Sequence, residues 1–125
     1  MSDDGPGQPV RLISLLRRKP GTTHEQFLAH WRGAHGPLIA TSSAANYVRR
    51  YEQYPAAWPA AGSGAPEPEW DGVTIQEFDS ADAFWAHTTE PDFPAMNEDI
   101  ARFLDTDHIA WVLVEDPTIV IDSPA

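Results

Sequence analysis

The chain has 125 residues and a formal net charge of −11, which fits one domain with one hydrophobic core and argues against a nucleic-acid or anionic-membrane partner. It contains no cysteine, so disulfides, thiolate metal sites and cysteine nucleophiles are excluded. No apolar run reaches the ~20 residues of a membrane-spanning helix, and the acidic start lacks the features of a signal peptide. We therefore expect a cytoplasmic protein.

The chain begins with a polar stretch that contains glycine and proline, and residues 1–9 are expected to form a flexible tail. Residues 10–125 are expected to form a single domain. Its first strand is predicted over Val10–Leu16, where apolar residues partly alternate with others. A polar turn then leads into the central helix, predicted over residues 23–41.

The central helix carries the strongest functional signal in the sequence. Thr22 or Thr23 is predicted to cap its start. His35 lies near the middle of the apolar sector, beside Gly36 and Pro37, where the helix should bend or restart. An ionisable ring on the inward face, next to a helix break, indicates a catalytic or binding group; the structural alternative is a buried histidine bonded to a freed backbone carbonyl. At about 100° per residue the apolar sector contains Phe27, Leu28, Trp31, His35, Leu38 and Ile39.

The remaining elements complete a βαββαβ order. A short edge-like extension is predicted over residues 118–121. This order is typical of the α+β ferredoxin-like fold, an antiparallel four-stranded sheet with both helices on one face. The open face of such a sheet needs a partner, and we expect a second copy of the chain there. The predicted elements are a strand over 45–54, a strand over 73–78, helical segments over 81–89 and 95–105, and a strand over 108–114.

Residues 55–71 form a long loop rich in proline, alanine and glycine. The loop contains Trp58 and Trp70, whose rings are costly to leave in water. Two interpretations stay open: the loop folds over a partner surface, or it is a flexible insertion.

Two further polar residues are candidates for chemistry beside His35. Tyr51 on the second strand can polarise a carbonyl or stabilise an enolate, or it can simply form a cleft or interface wall. Glu77 is a candidate substrate contact, although a solvated residue near a strand end is the simpler interpretation. His24, His30 and His87 are interpreted as surface residues. The large aromatic residues are expected either to belong to the core or to line a pocket for a flat apolar ligand. They are Trp31, Tyr47, Trp85, Phe103 and Trp111.

No metal or cofactor is predicted. His24, His30 and His35 are spaced by six and five residues, whereas two ligands on one helix face would be four apart. The sequence has no glycine-rich dinucleotide motif, phosphate-binding loop or nucleophile elbow.

Several segments resemble the EthD-like proteins, a branch of the dimeric α+β barrels. The resemblance covers roughly residues 10–121, and its most specific part is the W-x3-H-x-P-L core formed by Trp31, His35, Pro37 and Leu38. The other segments that carry it are LLRRKPGTTHEQFLAHWRGAHGPL, YVRRYEQY, WDGVTIQEFDS and EDIARFLDTDHIAWVLVED.

The resemblance implies a homodimer whose two sheets form a barrel, with a pocket between sheet and helices in each subunit. It also implies that His35 is the catalytic residue and that the substrates are small carbonyl or phenolic compounds, handled without an obvious cofactor. The chain departs from the family in two places: Ile75 stands where many relatives have a carboxylate, with Glu77 two residues on, and the 55–71 loop is longer.

Three functions follow from these residues. The first is a cofactor-independent lyase or isomerase for a small aromatic, polyketide-like or lactone substrate, with His35 as general base or acid and Tyr51 orienting an oxygen. The second is a cofactor-free monooxygenase of phenolic compounds, which oxygen consumption would reveal. The third is a non-catalytic binding or accessory protein, favoured if His35 is bonded on both nitrogens in a dry pocket. Fold analogy alone does not choose among them.

Overall fold

The computed structural model describes residues 7–124, so most of the predicted tail lies outside the described residues. Four strands form one sheet in the order β2-β3-β1-β4, with every neighbouring pair antiparallel. The βαββαβ order and the ferredoxin-like class are thereby confirmed. The strands are β1 (Val10–Leu16), β2 (Val48–Pro55), β3 (Gly72–Phe78) and β4 (Ala110–Val114).

Four α-helices and three shorter helical turns connect the strands. Among the described residues, no helix combines the length and the apolar character that crossing a bilayer requires. A cytoplasmic location stays a prediction. The helices are α1 (His24–His30), α2 (Gly36–Ala40), α3 (Ala81–His87) and α4 (Phe93–Phe103), and the turns are a π-helical turn (Trp31–His35) and 3-10 turns at Ser43–Asn46 and Thr106–His108.

The central helix is continuous through its predicted break. Thr23 caps α1 in a capping box: its hydroxyl accepts from the Gln26 N–H at 3.0 Å, and the Gln26 side chain accepts from the Thr23 N–H at 2.9 Å. Pro37 has no N–H, and the helix passes it by widening into the π-helical turn. The Trp31 carbonyl accepts from the Gly36 N–H and, at 2.9 Å, from Gln53 Nε2. The predicted restart is thus a wide turn that a side chain of β2 stabilises.

Strand β2 begins three residues later than predicted, because residues 45 and 46 belong to the 3-10 turn. A β-bulge lies between Val48 and Arg50, and it breaks the regular alternation that would otherwise place Tyr47, Arg49, Tyr51 and Gln53 on one face. Beyond the bulge, Tyr51 pairs with Gln76 and Gln53 pairs with Thr74, so both point to the helix side of the sheet.

The loop between β2 and β3 packs on the start of α1 of its own chain. Asp71, the last loop residue, is fully buried and accepts from the Arg18 N–H at 2.9 Å, from Arg18 Nη1 at 3.0 Å and from His24 Nδ1 at 2.9 Å. Trp58 stacks on the His24 ring with their centroids 3.6 Å apart. His24 was predicted at the surface, but this loop buries it. Pro55 belongs to β2, so the loop itself is residues 56–71.

The outer face of the sheet carries apolar side chains that none of the described helices covers. Val112 is 53% exposed, and the C-terminal segment after β4 is exposed as well. The extension predicted over residues 118–121 forms no strand. By alternation from the cavity-facing residues, the outward apolar residues in the middle of the sheet are Ile13, Leu15, Val73, Ile75, Val112 and Val114.

Gly72 opens β3 where the sheet and the central helix approach most closely. A Cβ at this position would lie 2.6 Å from the Trp31 ring and 3.1 Å from the Tyr54 carbonyl oxygen. Trp31 is fully buried, so its ring has no room to move away. We expect Gly72→Ala to lower the free energy of unfolding by about 1–3 kcal/mol in urea denaturation. Gly33→Ala is the control, because its Cβ meets no atom within 4 Å; equal effects of the two substitutions would contradict the proposed close approach.

Candidate active site

A cavity of about 460 Å³ lies between the inner face of the sheet and the helices. It separates two core clusters, one around Trp31 and Phe103 and the other around Phe78 and Phe84. Among the described residues that line it, none is an aspartate, glutamate, lysine or arginine. The cavity therefore suits an uncharged ligand with apolar surface. Six of the eight predicted site residues line it: His35, Tyr51, Trp31, Trp85, Phe103 and Trp111.

The other two predicted site residues lie elsewhere. Tyr47 precedes the bulge, packs in the second core cluster and donates its hydroxyl to Glu90. Glu77 pairs with Arg11 across the strands and accepts from Arg11 Nε at 3.3 Å. Because Gln76 and Thr74 face the cavity, Glu77 points to the opposite face of the sheet. Neither residue therefore lines the cavity: Tyr47 takes the core position that was one of its two predicted places, and the role of Glu77 as a substrate contact stays a prediction.

Trp85 and Trp111 form a rim of the cavity. Each side chain is 54% exposed, whereas Phe84 between them is buried, with its ring centroid 4.8 Å from Trp85 and 5.8 Å from Trp111. Trp85 was predicted to belong to the core or to line a pocket, and the structure places it on the cavity wall with about half of its surface exposed. Exposed indole rings at a cavity mouth offer flat apolar surface to an entering ligand.

His35 is held in place by Asp99 of α4. His35 Nδ1 lies 2.7 Å from Asp99 Oδ2, and His30 Nε2 lies 2.9 Å from Asp99 Oδ1. Burial alone would raise the pKa of Asp99, but the hydrogen bonds and charges of the two histidines outweigh it and lower that pKa. An ionised carboxylate only accepts, so His35 Nδ1 carries the hydrogen and Nε2 carries the lone pair.

The electrostatics keep His35 neutral at pH 7. Burial lowers its pKa from the ordinary value of 6.5, and the hydrogen bond and charge of Asp99 offset that effect only in part. A neutral imidazole whose Nδ1–H is bonded to a carboxylate has a free Nε2 to accept a proton. The pair therefore has the arrangement of a general base with its orienting group.

Tyr51 supplies the complementary donor on the cavity wall. Burial raises its pKa, although the hydrogen bond from Gln53 to its oxygen acts in the opposite direction. The hydroxyl therefore stays protonated at neutral pH and can donate its hydrogen to a ligand oxygen. Gln53 Nε2 lies 3.4 Å from that hydroxyl and also bonds the Trp31 carbonyl, which fixes the strand against the π-helical turn.

Sequence reasoning missed Asp99, and it interpreted His30 and His87 as surface residues. His30 is half-buried against Asp99, and His87 is buried on the cavity wall. Asp99 carried a readable signal: it lies three residues after Met96 and four before Phe103, so helical spacing places it on the inward face of α4. A carboxylate on an apolar stripe predicts a buried partner, and His35 was the candidate.

These observations define the class: a small α+β protein of the ferredoxin-like kind. It has a ligand-sized cavity, and the wall of that cavity carries His35, which is bonded to Asp99. The sequence model of the EthD domain matches residues 19–107. The chain belongs to the EthD domain family. None of the curated proteins matches the chain.

Solved structures share this fold at low sequence identity. An EthD family protein of Bacillus halodurans is similar over 87% of this chain and 99% of its own, with a TM-score of 0.65 and 17% identity. A dimeric ferredoxin-like protein of unknown function from Thermobifida fusca is similar over 88% and 92%, with a TM-score of 0.63 and 23% identity. The hydroxynitrile lyase of Passiflora edulis is similar over 93% and 100%, with a TM-score of 0.63 and 15% identity.

The electrostatic role of Asp99 can be measured directly. Its carboxylate raises the pKa of His35 against the effect of burial, so Asp99→Asn should lower the His35 pKa still further below 6.5. We expect this shift in an NMR titration of the imidazole C–H signals. Asp105→Asn is the control, since Asp105 binds exposed His108 with the same 2.7 Å contact. A His35 pKa that rises in Asp99→Asn would contradict the assignment.

Proposed function

We propose that the chain is a cofactor-independent lyase or isomerase that acts on a small aromatic, polyketide-like or lactone substrate by proton transfer. The observation that carries this proposal is the His35–Asp99 pair, which presents a neutral imidazole to the cavity with Nδ1 bonded at 2.7 Å. His35 is the general base and then the general acid. Tyr51 donates a hydrogen bond to the substrate oxygen.

The proposed reaction starts with His35 Nε2 removing a proton from the carbon next to a carbonyl group. The electron pair of the broken C–H bond moves to the carbonyl oxygen, where the Tyr51 hydroxyl stabilises the enolate. In a lyase, the enolate expels a β-leaving group, which takes the proton back from His35. In an isomerase, His35 returns the proton to another carbon. Each cycle leaves the enzyme unchanged and consumes no oxidant or reductant.

The cavity lining supports an uncharged substrate. An anionic substrate would lack a cation to pair with in this cavity, and the net charge of −11 repels anions from the surface. The walls offer the exposed aromatic rings of Trp85 and Trp111. Ser14, Thr74 and Gln76 add neutral polar groups on the sheet. The similar protein of Passiflora edulis is a hydroxynitrile lyase by its name, which agrees with a lyase on this fold.

The proposal is tested by deuterium exchange with a panel of neutral aryl ketones and lactones, among them 2-acetonaphthone. We expect the wild-type chain to accelerate exchange of the hydrogens next to the carbonyl in D2O. His35→Gln should slow this exchange by about 10²–10⁴-fold, the usual contribution of a general base. NMR integration of the exchanging signals measures the rate.

His108→Gln is the matched control, because His108 has the same Nδ1 contact to an aspartate but lies exposed and outside the cavity. It should keep the wild-type rate. Equal rates in wild type and His35→Gln would remove the catalytic assignment. Saturable binding with no exchange in any member of the panel would indicate a carrier.

We also propose that the chain forms a homodimer through the outer face of its sheet. The uncovered apolar residues in the middle of that face support it, and the similar protein of Thermobifida fusca is described as dimeric. Ile13 lies on a central strand, opposite Ile75 on one side and Val112 on the other. A charge there would be buried between the two sheets.

We expect Ile13→Lys to raise the dimer dissociation constant by at least about 100-fold, because a buried unpaired charge costs several kcal/mol. Sedimentation velocity measures the change, and circular dichroism checks that the variant folds. Ala101→Lys is the control, because Ala101 is an exposed residue of α4 on the other side of the sheet, and it should leave the dimer intact. A variant that sediments like the wild type would place the interface elsewhere.

A further inference from the structure

His87 is a buried polar side chain on the cavity wall that the proposed mechanism does not use. It is the last residue of α3, its side chain is 7% exposed, and it lines the same cavity as His35. Within residues 7–124, its Nδ1 has no hydrogen-bond partner. Buried polar atoms of folded proteins nearly always have a partner, so this one points to a ligand.

The surroundings of His87 are aromatic and offer no polar atom to its Nδ1. The ring centroids of Phe78 and Tyr47 lie 6.0 Å away, and that of Phe93 lies 5.2 Å away at a nearly perpendicular angle. The Tyr47 hydroxyl is already engaged with Glu90. A polar group that enters the cavity is therefore the natural partner of the imidazole.

His87 and His35 reach the cavity at different places along β3. His87 packs on Phe78 at the end of the strand. Gly36, the neighbour of His35, lies beside Gln53, because a Cβ on Gly36 would be 3.3 Å from the Gln53 side chain. Gln53 pairs with Thr74 of β3, so His35 reaches the cavity near Thr74. Thr74 and Phe78 are four residues apart, about 13 Å along a strand. One ligand that contacts both histidines must be elongated, with two separated polar groups.

We propose that His87 binds a hydroxyl group of the substrate, remote from the carbonyl that His35 and Tyr51 act on. A neutral imidazole presents either an N–H or a lone pair at Nδ1, and a hydroxyl group satisfies both because it donates and accepts. A carboxylate or phosphate is disfavoured, since no cationic side chain of the described residues lines the cavity. This inference rests on the proposed function in taking the cavity as the substrate site.

Two ketones that differ only in the remote hydroxyl test the inference: 6-hydroxy-2-acetonaphthone and 2-acetonaphthone. We expect the wild-type chain to bind the hydroxylated ketone about 2- to 10-fold more tightly, the range of one neutral hydrogen bond. His87→Phe should abolish this preference. His87→Asn should retain part of it, because its amide places a polar atom near the position of Nδ1. Titration calorimetry gives the dissociation constants.

His108→Phe is the control and should keep the full preference, because His108 is exposed and outside the cavity. The inference would be overturned if His87→Phe kept the wild-type preference for the hydroxylated ketone. It would also be overturned if the wild-type chain bound the two ketones equally. The wild-type chain also offers a direct measurement, the ¹⁵N NMR signal of the His87 imidazole. This signal should shift when 6-hydroxy-2-acetonaphthone is added and stay in place when 2-acetonaphthone is added.

The two proposals fail separately. His35→Gln should retain the hydroxyl preference while it loses deuterium exchange, because binding at His87 does not depend on the base. If exchange requires His35 but the hydroxyl preference is absent, only the role of His87 is wrong. If the preference is present and His87-dependent but no exchange occurs, the cavity binds such ligands without the proposed chemistry.

Discussion

The arrangement of the helices depends on one buried carboxylate. Asp99 of α4 is 4% exposed and accepts from His30 in α1 and from His35 in the π-helical turn, so one charge joins α4 to two consecutive segments of the central helix. A carboxylate in such surroundings is tolerated only when it is paired, and removing one partner of a buried pair is strongly destabilising. The same contact fixes the His35 tautomer and directs Nε2 away from the carboxylate. The bond that packs α4 against the central helix is therefore also the bond that orients the His35 ring and sets its tautomer.

The second constraint is that the fold must keep a cavity within a small domain. The core is divided into two clusters, and the space between them is bounded by the sheet on one side and the helices on the other. The first cluster is tight where Trp31 lies against Gly72, with no space for a single methyl group. Such close packing at one end, together with the bond from Gln53 to the Trp31 carbonyl, keeps the helix from collapsing onto the sheet. The void thus follows from where large rings are placed, and rigid packing around it preserves its shape.

The sequence predicted the fold well because its signals are local. Helical and strand periodicity gave the order of elements, Val10–Leu16 was predicted correctly, and Thr23 is one of the two residues predicted to cap the central helix. Features that depend on distant residues were missed. The start of β2 was misplaced because Ser43 of the preceding turn bonds to Asp92, forty-nine residues away. Glu77 was assigned to the site because strand alternation shows which residues share a face but not which face meets the helices. Six of the eight predicted site residues nevertheless line the cavity, since large rings on amphipathic elements point inward wherever the partner surface lies.

Contact geometry alone does not distinguish His35 from the other histidines of the described residues. Three histidines place Nδ1 within hydrogen-bond distance of an aspartate: His24 with Asp71 at 2.9 Å, His35 with Asp99 at 2.7 Å and His108 with Asp105 at 2.7 Å. Asp71 is shared with Arg18, and Trp58 covers the His24 ring, so that pair attaches the loop to α1. His108 is exposed, and its pair closes a 3-10 turn in water. Only His35 combines the bonded Nδ1 with a ring on the wall of a cavity that holds no competing charge. A proton-transfer group needs both an orienting partner and an uncharged space for its substrate, and in this chain only the π-helical turn brings the two together.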